Sequence, residues 1–164
     1  MRDLSPLPLT AEAFARFGDV IEASDRAERI AINYGYTTRF NDLAGIDVQD
    51  GGGRAIVSLF RAVPLDPPLL KIFERHPLGS QAFMPLSGRP YLVAVAPAGA
   101  FDAAKLVVFR AAPGQGVNYA KSVWHHFLLA LDGESDFLVI DREGPGENLD
   151  EIELLPADQV MVRL

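Results

Sequence analysis

No apolar run in this 164-residue chain is longer than the six residues Tyr91–Ala96, and clusters of glycine, proline and aspartate lie between the apolar segments. Stretches this short are far below the length that a membrane-spanning helix needs. They suit β-strands buried on one or both faces. Strands are expected at Ala55–Arg61, Leu69–His76, Gln81–Leu86, Tyr91–Ala96, Leu106–Arg110, His125–Leu131, Phe137–Asp141 and Ile152–Leu155. They are rich in Val, Leu, Ile and Phe, residues that fit a pleated, half-buried surface. Short strands at close spacing with turn residues between them point to a sandwich or a small barrel. One helix is expected, with Thr10 as N-cap, Ala11–Phe17 as body and Gly18 as stop. Leu86-Ser87-Gly88-Arg89-Pro90 reads as a tight reversal between two strands. Gly51–Gly53 and Pro113–Gly116 read as loops, because neither has the strand–loop–helix setting or the Lys-Ser/Thr ending of a phosphate-binding loop.

Composition removes several classes of function. The chain has no cysteine, which excludes disulfides, thiolate metal clusters and a cysteine nucleophile and tilts the expected compartment towards the cytoplasm. Its net charge of −7 is wrong for a nucleic-acid partner. Met1–Thr10 lacks the apolar core of a secretory signal, and no membrane segment is expected. Prolines and glycines are dispersed rather than gathered in a linker, so one domain over residues 1–164 is expected.

Two segments carry chemistry. In a strand over 69–76, alternation puts Glu74 and His76 on one face with Leu70 and Ile72, and Lys71, Phe73 and Arg75 on the other. A carboxylate and an imidazole on an apolar face need partners: either a reactive site, or a mutual pair at a barrel mouth. The second segment, Asn118–His126, holds two of the chain's three histidines. If Phe127, Leu129 and Leu131 point inward, His125 goes inward with them. His126 and Trp124 then point outward, the former as a structural or interface histidine and the latter as a packing residue. Outward Phe73, Trp124 and Met84 would form an apolar patch suited to a dimer, unless N-terminal strands or the helix cover them.

The spacing Glu74-x-His76-x(4)-Gln81-x(6)-Gly88 resembles the first motif of the cupin superfamily, with Glu for its first His and Gln for its Glu. Ala120–His125 sits where the second cupin motif falls, and only His125 is identical. Glu74–Phe83, Gly114–Tyr119 with Val123–His126, and Asp136–Arg142 more specifically resemble ureidoglycolate lyases. Pro8–Phe14 and Phe17–Glu22 are similar to the opening of that family.

The resemblance implies a mainly β, cupin-like barrel (a double-stranded antiparallel barrel) with a short N-terminal helix, working as a homodimer. It implies cleavage of (S)-ureidoglycolate to glyoxylate and urea in allantoin and purine nitrogen catabolism. Such an elimination needs a base, an acid and an anchor for a small carboxylate substrate. On this reading His125 or Glu74 is the base and His76 holds the acid proton. Lys121 anchors the carboxylate, and Asn118 or Tyr119 donates to the forming carbonyl, with Gln81 also lining the substrate site. Glu74, His76, Gln81 and His125 occupy the cupin ligand positions. A divalent metal there, nickel first and zinc second, stands beside a metal-free acid–base site. Two other functions remain open at this stage: a non-catalytic carboxylate-binding cupin, and another metal-dependent cupin enzyme.

Overall fold

The computed structural model describes residues 2–164 and is mainly β, with one short α-helix and three single 3-10 turns among those residues. A five-stranded antiparallel sheet runs in the order Gly18–Ile21, Gly116–Tyr119, Gln81–Pro85, Ser135–Glu143, Arg54–Ala62. Facing it, a larger sheet runs Asp150–Glu153, Ile72–Arg75, Trp124–His125, Tyr91–Ala96, Val107–Ala111, Leu7–Pro8, with Leu129–Ala130 also paired to Tyr91–Ala96. A third, three-stranded sheet joins Arg2–Leu4, Val160–Val162 and Leu69–Leu70. A separate hairpin, Glu28–Ile32 with Thr37–Asn41, stands out from the body with Tyr34 and Tyr36 exposed at its end. No helix among the described residues is long and apolar enough to cross a membrane.

Tyr91–Ala96 is buried along its whole length because it is covered on both sides. Tyr91, Val93 and Val95 pack with Phe83, Val117, Phe137 and Val139 of the five-stranded sheet. Leu92, Ala94 and Ala96 pack with Leu70, Val160 and Val162 of the three-stranded sheet. The longest apolar run in the sequence is therefore the middle strand of three layers.

Thr10 caps the helix, its hydroxyl accepting from the Ala13 N–H at 3.2 Å. The helix spans Ala11–Phe14, shorter than the expected Ala11–Phe17. The chain must turn early to lay Gly18–Ile21 against Gly116–Tyr119. Phe14 and Phe17 still do core work: Phe14 meets Phe109 edge-on at 5.7 Å and Tyr119 at 6.3 Å, closing one end of the space between the sheets.

Three expectations change. Leu69–His76 is not one strand. It kinks at Lys71, whose carbonyl accepts from the Leu154 N–H, and its halves belong to different sheets. Leu70 consequently lies with Phe73 in the second core and not on the Glu74 face. His125–Leu131 is also broken. From Val95↔His125 to Leu92↔Leu129, one strand uses two intervening residues and the other three, which is a β-bulge. The bulge reverses the alternation, so Leu129 and Leu131 enter the second core, opposite to His125, and Phe127 is exposed. Finally, Phe73 and Trp124 are not an outward patch. They are buried under the third sheet and Phe101, with Arg75 over the indole at 4.6 Å. Met84 alone of the three stays partly exposed.

Gly18 marks the tightest point of this design. Its φ is +144°, and a Cβ there would lie 1.8 Å from the Asn118 carbonyl oxygen. Gly18→Ala is expected to cost more than about 2 kcal/mol, read as a lower urea midpoint at unchanged slope.

Candidate active site

The two facing sheets each contribute one row of polar side chains. On the larger sheet, His125 pairs in register with Glu74, and His76 follows just past the strand end. On the five-stranded sheet, Tyr119 pairs with Gln81. The Gln81 amide donates to Asp141 Oδ2 at 3.1 Å. Asp141 faces inward by the same alternation that buries Phe137 and Val139.

His76 Nδ1 lies 2.8 Å from the Asn148 carbonyl, and His125 Nδ1 lies 3.0 Å from the Val123 carbonyl. A carbonyl only accepts, so each Nδ1 carries the hydrogen and each neutral ring keeps a lone pair on Nε2. Both Nε2 atoms are turned onto Glu74 Oε1, at 3.8 Å and 3.5 Å, and neither has a hydrogen-bond partner. Lone pairs aimed at a carboxylate oxygen repel unless a proton or a cation lies among them. His125, when charged, holds the Glu74 carboxyl below its ordinary range, against burial, which pushes it up. The Tyr119 ring stacks on His125 at 4.2 Å and fixes the imidazole plane, while burial pushes the phenol pKa up.

Glu74, His76 and His125 offer ligand atoms within 4.8 Å of one another. Gln81 Oε1 and Asp141 Oδ1 are buried beside them without partners. Such a donor set, two imidazoles and a carboxylate with polar neighbours, suits a divalent first-row metal. Two cavities meet here, each about 420 Å³ and both bordered by Phe60 and Glu74. The polar one adds His76, Gln81, Asp141 and Arg142. The apolar one adds Phe83, Tyr119, His125, Phe127 and Leu128.

Of the residues singled out in the sequence, the structure gathers Glu74, His76, Gln81, Tyr119 and His125. It does not gather Lys121 or Asn118. Lys121 pairs with Asp50 at 2.6 Å and Asp47 at 3.0 Å, because the surface loop ahead of Arg54–Ala62 brings both acids to it. Asn118, next to Tyr119 in a strand, must face the other way; its amide donates to Asp19 and to the Gly45 carbonyl. Two further site residues were not singled out in the sequence. Asp141 was detectable through its parity with Phe137 and Val139. Arg142 had no such signal: its guanidinium passes between Gly53, Gly79 and Gly144, where added Cβ atoms would collide with it or with neighbouring backbone. It donates to the Asp50 and Pro145 carbonyls, and its charge helps hold the Asp50 carboxyl below its ordinary range, after the larger effect of Lys121.

A mainly β fold with a cluster of two histidines and a carboxylate between its facing sheets is that of a β-rich small-molecule enzyme, in keeping with a cupin-like form. The family model for ureidoglycolate lyase matches residues 1–162. A ureidoglycolate lyase of Burkholderia mallei is 58% identical over 155 residues, covering 94% of this chain and 91% of its own. One from Pseudomonas entomophila is 49% identical over 164 residues, covering 99% and 97%. One from Burkholderia cepacia is 56% identical over 148 residues, covering 89% and 83%. The chain belongs to the ureidoglycolate lyase family.

His126 stands apart from this chemistry. It is buried edge-on against Phe73, and burial pushes its pKa down to about 4. The unfolded imidazole binds a proton below about pH 6.5, so between there and pH 4 the unfolded chain holds more protons. This contribution is complete above pH 6.5 and is lost as the pH falls. From pH 7 to 5 the protein should lose about 2 kcal/mol more than a His126→Leu variant, measured by urea unfolding at both pH values.

Proposed function

We propose that the chain splits (S)-ureidoglycolate into glyoxylate and urea at the Glu74–His76–His125 cluster, as a single domain over residues 1–164, in the cytoplasm and in the service of allantoin nitrogen catabolism. The observation that carries this reading is the pair of Nε2 lone pairs turned onto one carboxylate, beside a partnerless Asp141 oxygen.

The substrate is an anionic carbinolamine, and the site already holds two carboxylates. Charge balance therefore favours a divalent cation held by Glu74, His76 and His125, nickel first and zinc second. When bound, it would polarise the substrate hydroxyl and offset the negative charge around it. Arg142, whose partners are carbonyls, is the cation lining the polar cavity. It takes over the carboxylate-anchoring role first assigned to Lys121. Because Gln81 spends its N–H on Asp141, its free oxygen accepts from the ureido N–H.

The Nδ1 hydrogens of His76 and His125 are committed to carbonyls. With both Nε2 atoms and Glu74 given to the cation, proton transfer passes to Asp141. Its free Oδ1 takes the hydroxyl proton, the carbonyl forms, the C–N bond breaks, and the same carboxyl returns the proton to the urea nitrogen. Tyr119, kept protonated by burial, donates to the forming carbonyl oxygen.

Purified protein should release glyoxylate and urea in equal amounts, lose this on chelation and regain it with Ni²⁺. His125→Ala should be inactive. Asp141→Asn should lower kcat by about 10²–10⁴ with KM little changed. A full kcat in Asp141→Asn, or turnover indifferent to chelation, would contradict these assignments.

We also propose a homodimer, as the family resemblance implies. Val57 and Leu59 are exposed on the outer face of the five-stranded sheet, next to Leu138 and Met84, and an apolar face of this kind favours a partner. Sedimentation should give twice the 17.8 kDa chain mass, and Leu59→Glu should shift the protein towards monomer.

A further inference from the structure

Ureidoglycolate is polar at both ends, yet half of the space beside Glu74 is apolar. The apolar cavity is walled by Phe60, Val63, Phe83, Phe127 and Leu128. Away from Glu74, Tyr119 and His125 at its inner end, its polar lining side chains are committed elsewhere. Arg61 is bound to Asp136 at 2.7 and 3.0 Å, and His126 Nδ1 to the Phe127 carbonyl. A terminal urea NH₂ placed there would be desolvated with few acceptors, at a net cost. The cavity is also built by a specific device. The one-residue bulge after His125 turns Phe127 out to its rim, where a regular strand would have kept the chain flat against Tyr91–Ala96.

We propose that the site also cleaves carbinolamides of glyoxylate whose nitrogen bears an apolar acyl group, R–CO–NH–CH(OH)–COO⁻, with R an aryl or branched alkyl group. This inference rests on the lyase reading. The carboxylate lies in the polar cavity, the carbinol carbon at Glu74, and R in the apolar cavity. The bond changes match those of the ureido substrate. The O–H bond breaks and its electrons form the new C=O. The C–N bond breaks and its pair goes to nitrogen, which takes the proton. The products are R–CO–NH₂ and glyoxylate, and no oxidant, reductant or co-reactant is needed. Burial of R supplies the binding that the second urea nitrogen cannot obtain there.

The test compares N-benzoyl-α-hydroxyglycine with N-acetyl-α-hydroxyglycine and ureidoglycolate, following glyoxylate in each case and benzamide in the first. The benzoyl compound should exceed the acetyl compound in kcat/KM by at least about tenfold. Val63→Trp narrows the apolar cavity from an exposed rim position. It should cut benzoyl turnover about tenfold and leave ureidoglycolate turnover unchanged. Inhibition of ureidoglycolate cleavage by the unreactive N-benzoylglycine should weaken in the same variant, and inhibition by N-acetylglycine should not. Turnover of ureidoglycolate with no preference for benzoyl over acetyl overturns the proposal and spares the lyase reading. Equal loss on both substrates in Val63→Trp overturns it too, because the cavity is then an entrance. Failure on ureidoglycolate itself overturns both readings.

Discussion

Two backbone carbonyls decide what this site is. Those of Asn148 and Val123 each accept the Nδ1 hydrogen of a histidine, and so turn two Nε2 lone pairs onto Glu74. The carbonyls are held in turn by the fold. Val123 lies in the turn after Tyr119, with its N–H bonded to the Ala120 carbonyl. Asn148 is tied back by its side chain, which accepts from the Leu78 N–H at 2.8 Å. Outer partners that fix the ring tautomer are a common support of metal-binding histidines. Here they leave a carboxylate facing two lone pairs, an arrangement that requires positive charge.

The layered architecture supplies the rigid setting. The strand Tyr91–Ala96 is clamped between two cores, and His125 hangs from it through the Val95 pairing. Phe14, Phe17 and Phe109 fill the space beyond Tyr119, so the ring stacked on His125 has little freedom to tilt. The bulge after His125 then separates two tasks along one segment. His125 faces the site, and Leu129 and Leu131 go to the opposite core.

Much of this was legible in the sequence, and for physical reasons. Tyr91–Ala96 is a strand with the bounds expected, because a run buried on both faces has no polar alternation to blur it. Glu74, His76 and His125 stood out because strand alternation put polar groups on an apolar face, and Gln81 through its spacing in the cupin-like motif. The strands Gly18–Ile21 and Gly116–Tyr119 were not visible: glycine, aspartate and asparagine in them read as turn residues, yet here they serve close backbone approach and outward hydrogen bonds. His125 was expected to face inward alongside Leu129 and Leu131. It does face inward, but a bulge sends those leucines the other way, and no alternation pattern announces an extra residue. Lys121 was drawn to the site by charge alone; its loop carboxylates, distant in sequence, claim it.

The central claim is that carbonyls hold the Nδ1 hydrogens of both imidazoles and so turn both Nε2 atoms onto Glu74 as cation ligands, and nitrogen-detected NMR of the histidine side chains tests it most directly. The chain has only three histidines, so each ring can be assigned by substitution. Metal-free protein near neutral pH should show His76 and His125 protonated at Nδ1, and adding Zn²⁺ should move the Nε2 resonances of these two and leave those of His126 in place. Rings that carry no hydrogen on Nδ1, or Zn²⁺ that shifts neither, would contradict the account.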